Sequence, residues 1–168
     1  MNSFSFILTG STGWLGSNFH NQLKKDKKSK IFQISSKNNF EELDNLSKKK
    51  LDNIIFLHNA FIRADKILSN EYDFQKESEL NFSKINSFIK SNDVRFFYYP
   101  SSGSIYKLRK IDNQQYKDYS DRKIFEENEL ENLSKNHNFS LIIPRIFTPI
   151  APNYSKAKNL VLGYFLDS

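Results

Sequence analysis

Short apolar runs alternate along the chain with longer stretches in which apolar residues recur at helical spacing. Strands are predicted where the runs are short and β-prone, at residues 3–8, 31–35, 53–57, 94–99 and 139–143. Helices are predicted at residues 40–46, 71–91 and 120–135, and also after residue 14, where Leu15, Phe19 and Leu23 share one face. Strands that alternate with helices in this order predict an α/β protein built on a parallel sheet.

Length and composition are those of one packed domain. The chain has 168 residues, of which 38% are hydrophobic, and its 16 Phe and 8 Tyr can fill a core. It has no cysteine, and its three histidines (His20, His58 and His137) are far apart, so we expect no disulfide, thiolate or metal chemistry. With neither a secretion leader nor an apolar run of membrane-spanning length, we expect a cytoplasmic protein without membrane contact.

The formal net charge of +6 raises the alternative of nucleic-acid binding. The lysines, however, form short groups at the ends of predicted helices, one at residues 24–28 and one at residues 48–50. Positive charge is favourable at a helix C-terminus, so a solvated surface is the simpler interpretation. The chain has no recognised nucleic-acid motif, and we expect no nucleic-acid partner.

Three of the five glycines fall in one seven-residue turn between the first predicted strand and the helix after it. In such a turn the first glycine permits the tight bend, the second lets the backbone approach a pyrophosphate, and the third allows close packing of helix on strand. The N–H groups at the start of the helix favour phosphate. The alternative is a turn that serves packing alone. The turn predicts a dinucleotide site that contains Gly10, Thr12, Gly13, Trp14, Leu15 and Gly16.

The end of the second predicted strand bears on which dinucleotide binds. A carboxylate there would hold the ribose 2′-hydroxyl of NAD, but none is present. Ser35, Ser36 and Lys37 stand in its place, and their hydroxyl groups and positive charge suit a 2′-phosphate. NADP is therefore modestly favoured over NAD, although an ordinary exposed lysine would explain Lys37 almost equally well.

Tyr119 and Lys123 have the spacing Y-x-x-x-K, which places the phenol and the ammonium group one helical turn apart on the same face. A neighbouring cation favours the phenolate, so we expect the pKa of Tyr119 to move from about 10 towards neutrality. The pair can then perform acid/base chemistry. The spacing alone is weak in a chain with many tyrosines and lysines.

Together these motifs resemble the extended branch of the short-chain dehydrogenase/reductase family, the NAD-dependent epimerase/dehydratase type. The turn from Thr9 to Gly16 resembles TGxxGxxG, residues 100–106 resemble the SS-x-x-(V/I)-Y segment, and Y-x-x-x-K follows in the family's order. The resemblance covers roughly residues 3–152. It implies a three-layer Rossmann fold with a doubly wound parallel sheet, a cofactor domain at residues 1–152, and a tail or start of a truncated substrate region at 153–168. The family's C-terminal substrate domain is expected to be largely absent.

The resemblance also implies roles for individual residues. Ser102 would orient the substrate, Tyr119 would be the general acid/base, and Lys123 would lower the pKa of Tyr119 and bind the nicotinamide ribose. The segment at residues 57–60 resembles the H-x-A strand end, which places Asn59 and Ala60 beside the adenine ribose. Two further residues match family positions, Asn81 on a helix and Arg145 in an R-x-F strand end. Ordinary interpretations remain open for His58 as a buried histidine, Asn81 as a polar helix residue and Arg145 as a surface cation.

Three features depart from the family's pattern. Lys107 replaces the glycine expected after Tyr106, and residues 148–152 follow the N-x-x-G-P stretch only loosely. The stretch between the second predicted strand and Asn53 is short, so one edge of the sheet is expected to be trimmed.

The function implied by the resemblance is hydride transfer between NAD(P) and a carbinol or keto carbon, as in an epimerase, dehydratase or reductase that acts on a nucleotide sugar. The alternative is a non-catalytic dinucleotide-binding module, or a truncated remnant of such an enzyme. A two-helix interface is common in this family, so the expected partners are the cofactor, a nucleotide-sugar or other small-molecule substrate, and a second copy in a homodimer.

Overall fold

The computed structural model describes residues 3–38, 40–61, 74–103, 105–108 and 110–147. In chain order the elements are β1 (Ser5–Thr9), α1 (Trp14–Leu23), β2 (Lys30–Ile34), a 3₁₀ turn (Ser36–Asn38), α2 (Glu41–Ser47), β3 (Ile54–His58), α3 (Phe74–Ser91), β4 (Val94–Tyr98), β5 (Ser101–Ser102), α4 (Ile105–Leu108), α5 (Gln114–His137), β6 (Ser140–Ile142) and β7 (Arg145–Ile146). The alternation of strands and helices predicted from the apolar pattern is confirmed.

The main sheet has five parallel strands in the order β2-β1-β3-β4-β6. From β1 the chain first builds outward to β2 and then crosses back to β3, β4 and β6, so the sheet is doubly wound, as predicted. The direction changes between β1 and β3, and in such sheets ligands bind outside the carboxyl ends of the strands at this point. In the described part of the chain no strand lies beyond β2, which confirms the trimmed edge.

Helices cover both faces of the sheet. Two neighbouring residues of β4 show this, because their aromatic side chains make contacts on opposite faces. Phe97 stacks on Phe56 of β3 with ring centroids 4.8 Å apart, and Phe56 contacts Phe88 of α3. Tyr98, the next residue, contacts Phe19 of α1 at 5.2 Å. Successive strand residues point to opposite faces, so α1 and α3 lie on opposite sides of the sheet and the fold has three layers.

The helix predicted from residue 120 begins earlier, at Gln114. Asn113 is its N-cap, and its side-chain oxygen accepts a hydrogen bond from the Tyr116 N–H at 3.2 Å. The first turn is polar and carries little of the apolar periodicity by which helices are recognised, so the sequence pattern missed it.

A second small sheet forms outside the apolar runs from which the strands were predicted. Ser101 pairs with Arg145 and Ser102 with Ile146, just beyond prolines that interrupt the longer strands. The Ser101 N–H donates to the carbonyl oxygen of Pro144 at 2.9 Å. Two-residue strands leave no periodic signal, yet this pairing fixes the backbone that carries Ser102.

Some predictions fall outside the described residues. They are the start of the helix predicted from residue 71, the stretch at 148–152, the end of the domain predicted at 152, and the tail predicted at 153–168. Among the helices that the structure describes, none is both long and apolar enough to cross a membrane.

Candidate cofactor and active site

The glycine turn lies at the carboxyl end of β1, against the end of β3. Gly10 has φ +66°, and a Cβ atom there would lie 2.6 Å from the carbonyl carbon and oxygen of Asn59. A Cβ atom at Gly16 would overlap the carbonyl group of Gly10. Both positions therefore require glycine. This agrees with the sequence analysis, in which the first glycine permits the tight bend and the third allows close packing of the helix.

Gly13 is the N-cap of α1 and forms no side-chain cap, while its N–H donates to the Gly10 carbonyl at 2.9 Å. Thr12 and Gly13 are exposed, and Trp14 and Leu15, which begin the helix, are half-buried. The exposed start of α1 can therefore present N–H groups to an outside anion. This arrangement fits the pyrophosphate of a dinucleotide.

The Thr9 side chain joins the turn to the end of β3. Its Oγ1 accepts hydrogen bonds from the backbone N–H groups of Asn59 at 3.1 Å and Ala60 at 3.2 Å, and it lies 2.7 Å from Nδ1 of His58. Because the Thr9 oxygen already accepts twice, its proton is directed to Nδ1, which must be unprotonated. Burial, and secondly the positive charge of Lys123, lower the pKa of His58 to about 3, so this histidine is neutral. His58 is thus a buried, hydrogen-bonded residue.

Two more parts of the predicted cofactor site border the same edge of the sheet. Ser35, Ser36 and Lys37 follow β2 and are exposed, and the Lys37 N–H donates to Oγ of Ser35 at 3.2 Å. Asn59 follows β3, and its Oδ1 is buried with no hydrogen-bond partner among the described residues. A buried acceptor of this kind can take a hydrogen bond from a ligand, which agrees with a cofactor at this edge.

The structure brings Ser102, Tyr119 and Lys123 together. Ser102 comes from β5, and its side chain is hydrogen-bonded to that of Tyr119 on α5. Tyr119 is only 8% exposed, and its ring contacts Phe61 at 5.6 Å and Phe74 at 6.4 Å. The phenol and the serine hydroxyl therefore form a pair of hydrogen-bonding groups at the carboxyl end of the sheet.

The pKa of Tyr119 is raised from its ordinary value, because burial disfavours the phenolate. The hydrogen bond with Ser102 lowers the pKa, and the negative charge of Glu126 raises it. This direction is opposite to the one expected from the Y-x-x-x-K spacing. The aromatic rings that bury Tyr119 come from distant parts of the sequence, and the local spacing could not reveal them.

Lys123 is buried beneath aromatic side chains. Its Nζ donates to the carbonyl oxygen of Pro100 at 3.2 Å and lies 3.4 Å from the Phe61 ring centroid and 4.4 Å from that of Tyr99. Burial lowers the pKa of Lys123 to about 8, whereas the carboxylates of Glu126 and Glu127 favour its charged form. Phe61 packs on both Lys123 and Tyr119, and it follows directly on the Asn59–Ala60 segment. It therefore connects the two halves of the site.

Sequence reasoning missed two buried carboxylates on α5. Glu126 is 3% exposed and Glu127 is 4% exposed. Glu127 forms an ion pair with Arg145 and accepts a hydrogen bond from Oγ of Ser101, so it ties α5 to the small sheet. A signal was available, because these acids fall on the same helix face as Tyr119, Leu130 and Leu133, which are also buried. Charged residues on an inward face indicate paired or functional groups.

Asn81 and Arg145 now have defined surroundings. Asn81 lies on α3, and its Oδ1 is buried without a hydrogen-bond partner in the described ranges. It borders a cavity of about 20 Å³ that is also lined by His58 and Glu126. Arg145 is held by Glu127 and packs on Tyr106, so it has a structural partner. Across the described residues, no group of three or more His, Asp or Glu side chains is arranged to hold a metal ion.

Comparisons with known proteins agree with the fold. The model of the NAD dependent epimerase/dehydratase family matches residues 6–167. A search of curated proteins found no match. Solved structures with the same fold include the capsular polysaccharide assembling protein CapF from Staphylococcus aureus (20% identity, TM-score 0.55, 96% of this chain and 39% of that one).

Two further structures with this fold are complexes with NAD. They are the Thermus thermophilus UDP-glucose 4-epimerase in complex with NAD (12% identity, TM-score 0.63, 84% of this chain and 54% of that one) and the Bordetella bronchiseptica enzyme WbmH in complex with NAD⁺ (15% identity, TM-score 0.64, 92% of this chain and 59% of that one). This chain thus spans between 39% and 59% of the length of these three structures. At such low identity the structures show the fold, and the family match shows the relationship. The chain belongs to the NAD dependent epimerase/dehydratase family.

Proposed function

We propose that this chain is the cofactor-binding and proton-transfer part of an NAD(P)-dependent epimerase, dehydratase or reductase that acts on a nucleotide sugar or a related carbinol or keto substrate. The observation that carries the proposal is the Ser102–Tyr119 hydrogen bond, with Lys123 one helical turn further on. Ser102 and the glycine turn both follow carboxyl ends of parallel strands, so they share one edge of the sheet. In this proposal residues 1–152 form the cofactor domain and residues 153–168 begin the substrate region.

The cofactor would be held by groups that directly follow three neighbouring strands, β1, β2 and β3. The start of α1 would bind the pyrophosphate, and Asn59 and Ala60 would line the adenine ribose. Ser35, Ser36 and Lys37 offer hydroxyl groups and a positive charge without a carboxylate, which favours NADP over NAD. When bound, the nicotinamide ring supplies the donor or acceptor of hydride.

The remaining chemistry falls to the chain's own side chains. The Tyr119 hydroxyl would give a proton to, or take one from, the substrate oxygen, and the Ser102 hydroxyl would orient that oxygen. The Lys123 ammonium group would favour the phenolate and bind the nicotinamide ribose. A positioned general acid/base of this kind contributes roughly 10²–10⁴ in rate.

Cofactor titration tests the first part of this proposal. We would titrate the full chain with NADPH and with NADH, and follow cofactor fluorescence and the melting temperature. A ligand that binds only the folded state raises the melting temperature. We expect both to bind and NADPH to bind more tightly, and failure of both nucleotides would overturn the assignment.

Gly13→Asp is the matched variant for this titration. Among the described residues, a Cβ atom at Gly13 meets only the Gly10 carbonyl oxygen, at 3.2 Å, and aspartate is a favourable N-cap residue, so the variant should fold. Its carboxylate would stand where the phosphate is expected and repel it. Loss of binding in a folded Gly13→Asp variant would place the pyrophosphate at this turn, whereas unchanged binding would contradict that placement.

A non-catalytic dinucleotide-binding module is the second candidate. It is favoured by the deep burial of Lys123, which is 3% exposed, and by the contact of Phe61 with both Lys123 and Tyr119. Tyr119→Phe separates the two candidates, since it removes the proton and keeps the ring. For an enzyme we expect cofactor binding to persist while hydride transfer to candidate nucleotide sugars falls by about 10²-fold or more. A binding module would transfer no hydride in either form.

A homodimer is a further part of the proposal. The groove between α3 and α5 has a volume of about 310 Å³ and is lined by Phe74 and Phe125, with Phe125 48% exposed. Leu80 on α3 is also exposed. Light scattering on the wild type and on Phe125→Glu tests whether a second copy covers this groove. We expect a dimer that becomes a monomer on substitution, and a monomeric wild type would refute the dimer.

A further inference from the structure

Glu126 is a buried carboxylate close to Lys123 that takes no part in the proposed reaction. Its Oε2 accepts a hydrogen bond from the Tyr99 hydroxyl at 2.6 Å, and its Oε1 accepts one from Nε of Arg122 at 2.7 Å. Arg122 also donates to the carbonyl oxygen of Ser78 on α3 at 3.0 Å. Both oxygens of the carboxylate are thus held in place by groups that are anchored elsewhere in the fold.

The same Tyr99 ring supports the Lys123 ammonium group. Nζ of Lys123 lies 4.4 Å from the centre of the ring. The Tyr99 ring also stacks on His58, with ring centroids 5.8 Å apart and an interplanar angle of 14°. The hydrogen bond from Tyr99 to Glu126 therefore fixes the orientation of the aromatic surface on which the ammonium group rests, and it links that surface to a negative charge.

The titratable groups around Lys123 come from α5, β3 and the residue that follows β4. On α5 they are the charged Glu126 and Glu127 and, one helical turn earlier, Tyr119. His58 of β3 is neutral above its pKa of about 3. Burial raises the pKa of Tyr99 well above its ordinary value, so it too is neutral.

The two carboxylates differ in their other partners. Glu127 is engaged by Arg145 and Ser101 of the small sheet. Glu126 is engaged by Arg122 and by Tyr99, the residue on which Lys123 rests. Of the two, Glu126 also has the larger effect in favouring the charged form of Lys123.

We propose that Glu126 is a positioning residue, the buried counter-charge that keeps the Lys123 side chain an ammonium ion and seats it on the Tyr99 ring. This inference rests on the role proposed above for Lys123. A charged Lys123 favours the phenolate of Tyr119, so Glu126 would act on the reaction only through Lys123.

The direct test is a titration of Lys123 in the full chain without added nucleotide. Lysine labelled with ¹³C at Cε reports the protonation of each ammonium group, and the Lys123 signal is assigned by its loss in Lys123→Met. We expect Lys123 to titrate near pH 8 in the wild type. In Glu126→Gln, which keeps the shape and removes the charge, the midpoint should fall by about 1–3 pH units.

Glu131→Gln is the matched control, because Glu131 is exposed on the same helix. It should leave the Lys123 midpoint within a few tenths of a pH unit of the wild-type value. If Glu126→Gln does not fold, Glu126→Asp keeps the charge but moves it away from Tyr99, and it should give a smaller fall.

An unchanged or higher midpoint in a folded Glu126 variant would overturn the inference. A purely structural role for Glu126 would lower stability without moving the Lys123 midpoint, and that outcome also contradicts it. Failure of both NADPH and NADH to bind, with the midpoint moved as expected, would refute the proposed function and leave the effect of Glu126 on Lys123 intact.

Discussion

Gly10→Ala is the substitution for which the structure gives the sharpest expectation of stability. The residue has φ +66°, and a left-handed conformation costs an L-residue roughly 1–2 kcal/mol. The new methyl group would also lie 2.6 Å from the Asn59 carbonyl carbon and oxygen and 2.7 Å from the Ala60 nitrogen. These are backbone atoms, so they cannot rotate away, and overpacking of this kind costs about 1–3 kcal/mol.

Alanine also restricts the unfolded chain, which offsets at most about 1 kcal/mol of these costs. The net loss in the free energy of unfolding is therefore about 1–5 kcal/mol. For a chain of this length that corresponds to a fall in melting temperature of roughly 2–20 °C. Urea unfolding followed by circular dichroism measures the free energy, and a thermal scan measures the melting temperature.

Gly13→Ala serves as the control in the same turn. Gly13 has φ −74°, and within the part of the chain that the structure describes its Cβ atom would meet only the Gly10 carbonyl oxygen, at 3.2 Å. We expect a change of no more than about 1 kcal/mol, since alanine is merely a poorer N-cap residue. If Gly10→Ala were as stable as Gly13→Ala, the close approach of the turn to the end of β3 would be wrong.

Three other substitutions probe the buried charges. The unfolding free energy of the wild type should fall as the pH drops from about 6.5 towards 3, because the unfolded chain binds a proton that buried His58, with its pKa of about 3, does not. In His58→Asn, the unfolding free energy measured by urea titration should fall less steeply between pH 7 and 5.5 than in the wild type. An equal slope in the two proteins would argue against a buried neutral histidine. Glu127→Gln should destabilise the fold by about 1–3 kcal/mol in the same assay, since it weakens hydrogen bonds to Arg145 and Ser101. Phe61→Ala should raise the Lys123 midpoint from about 8 towards 10.5, because burial is the main cause of its lowering, and a midpoint that stays at 8 would show that Phe61 does not shield it.

The local pattern of apolar residues was sufficient to predict the five strands of the main sheet and most of the helices. Buried strands such as Ile54–His58 are short apolar runs between polar residues, and this signal lies within the strand itself. The glycine turn was equally readable, because only glycine meets the steric demands at residues 10 and 16. The polar first turn of α5 and the two-residue strand β5 carry no such signal, and they were missed, while β7 was indicated only by the resemblance of residues 145–147 to an R-x-F strand end.

Other properties depend on atoms that are distant in the sequence. The Thr9 hydroxyl reaches residues 49 to 51 positions away, and Ser101 meets Glu127 across 26 residues. The direction of the Tyr119 pKa shift follows from burial, to which the Phe61 and Phe74 rings contribute.

The sequence by itself therefore determined the order of the elements, the place of the glycine turn and the residues of the Y-x-x-x-K pair. Backbone geometry and side-chain periodicity are local, and a single stretch of residues expresses them fully. Only the tertiary structure decided that Lys123 is buried on Tyr99 with Glu126 beside it, and that His58 is neutral. Desolvation and charge pairing depend on which surfaces the fold brings together, and no single segment of the sequence contains that information.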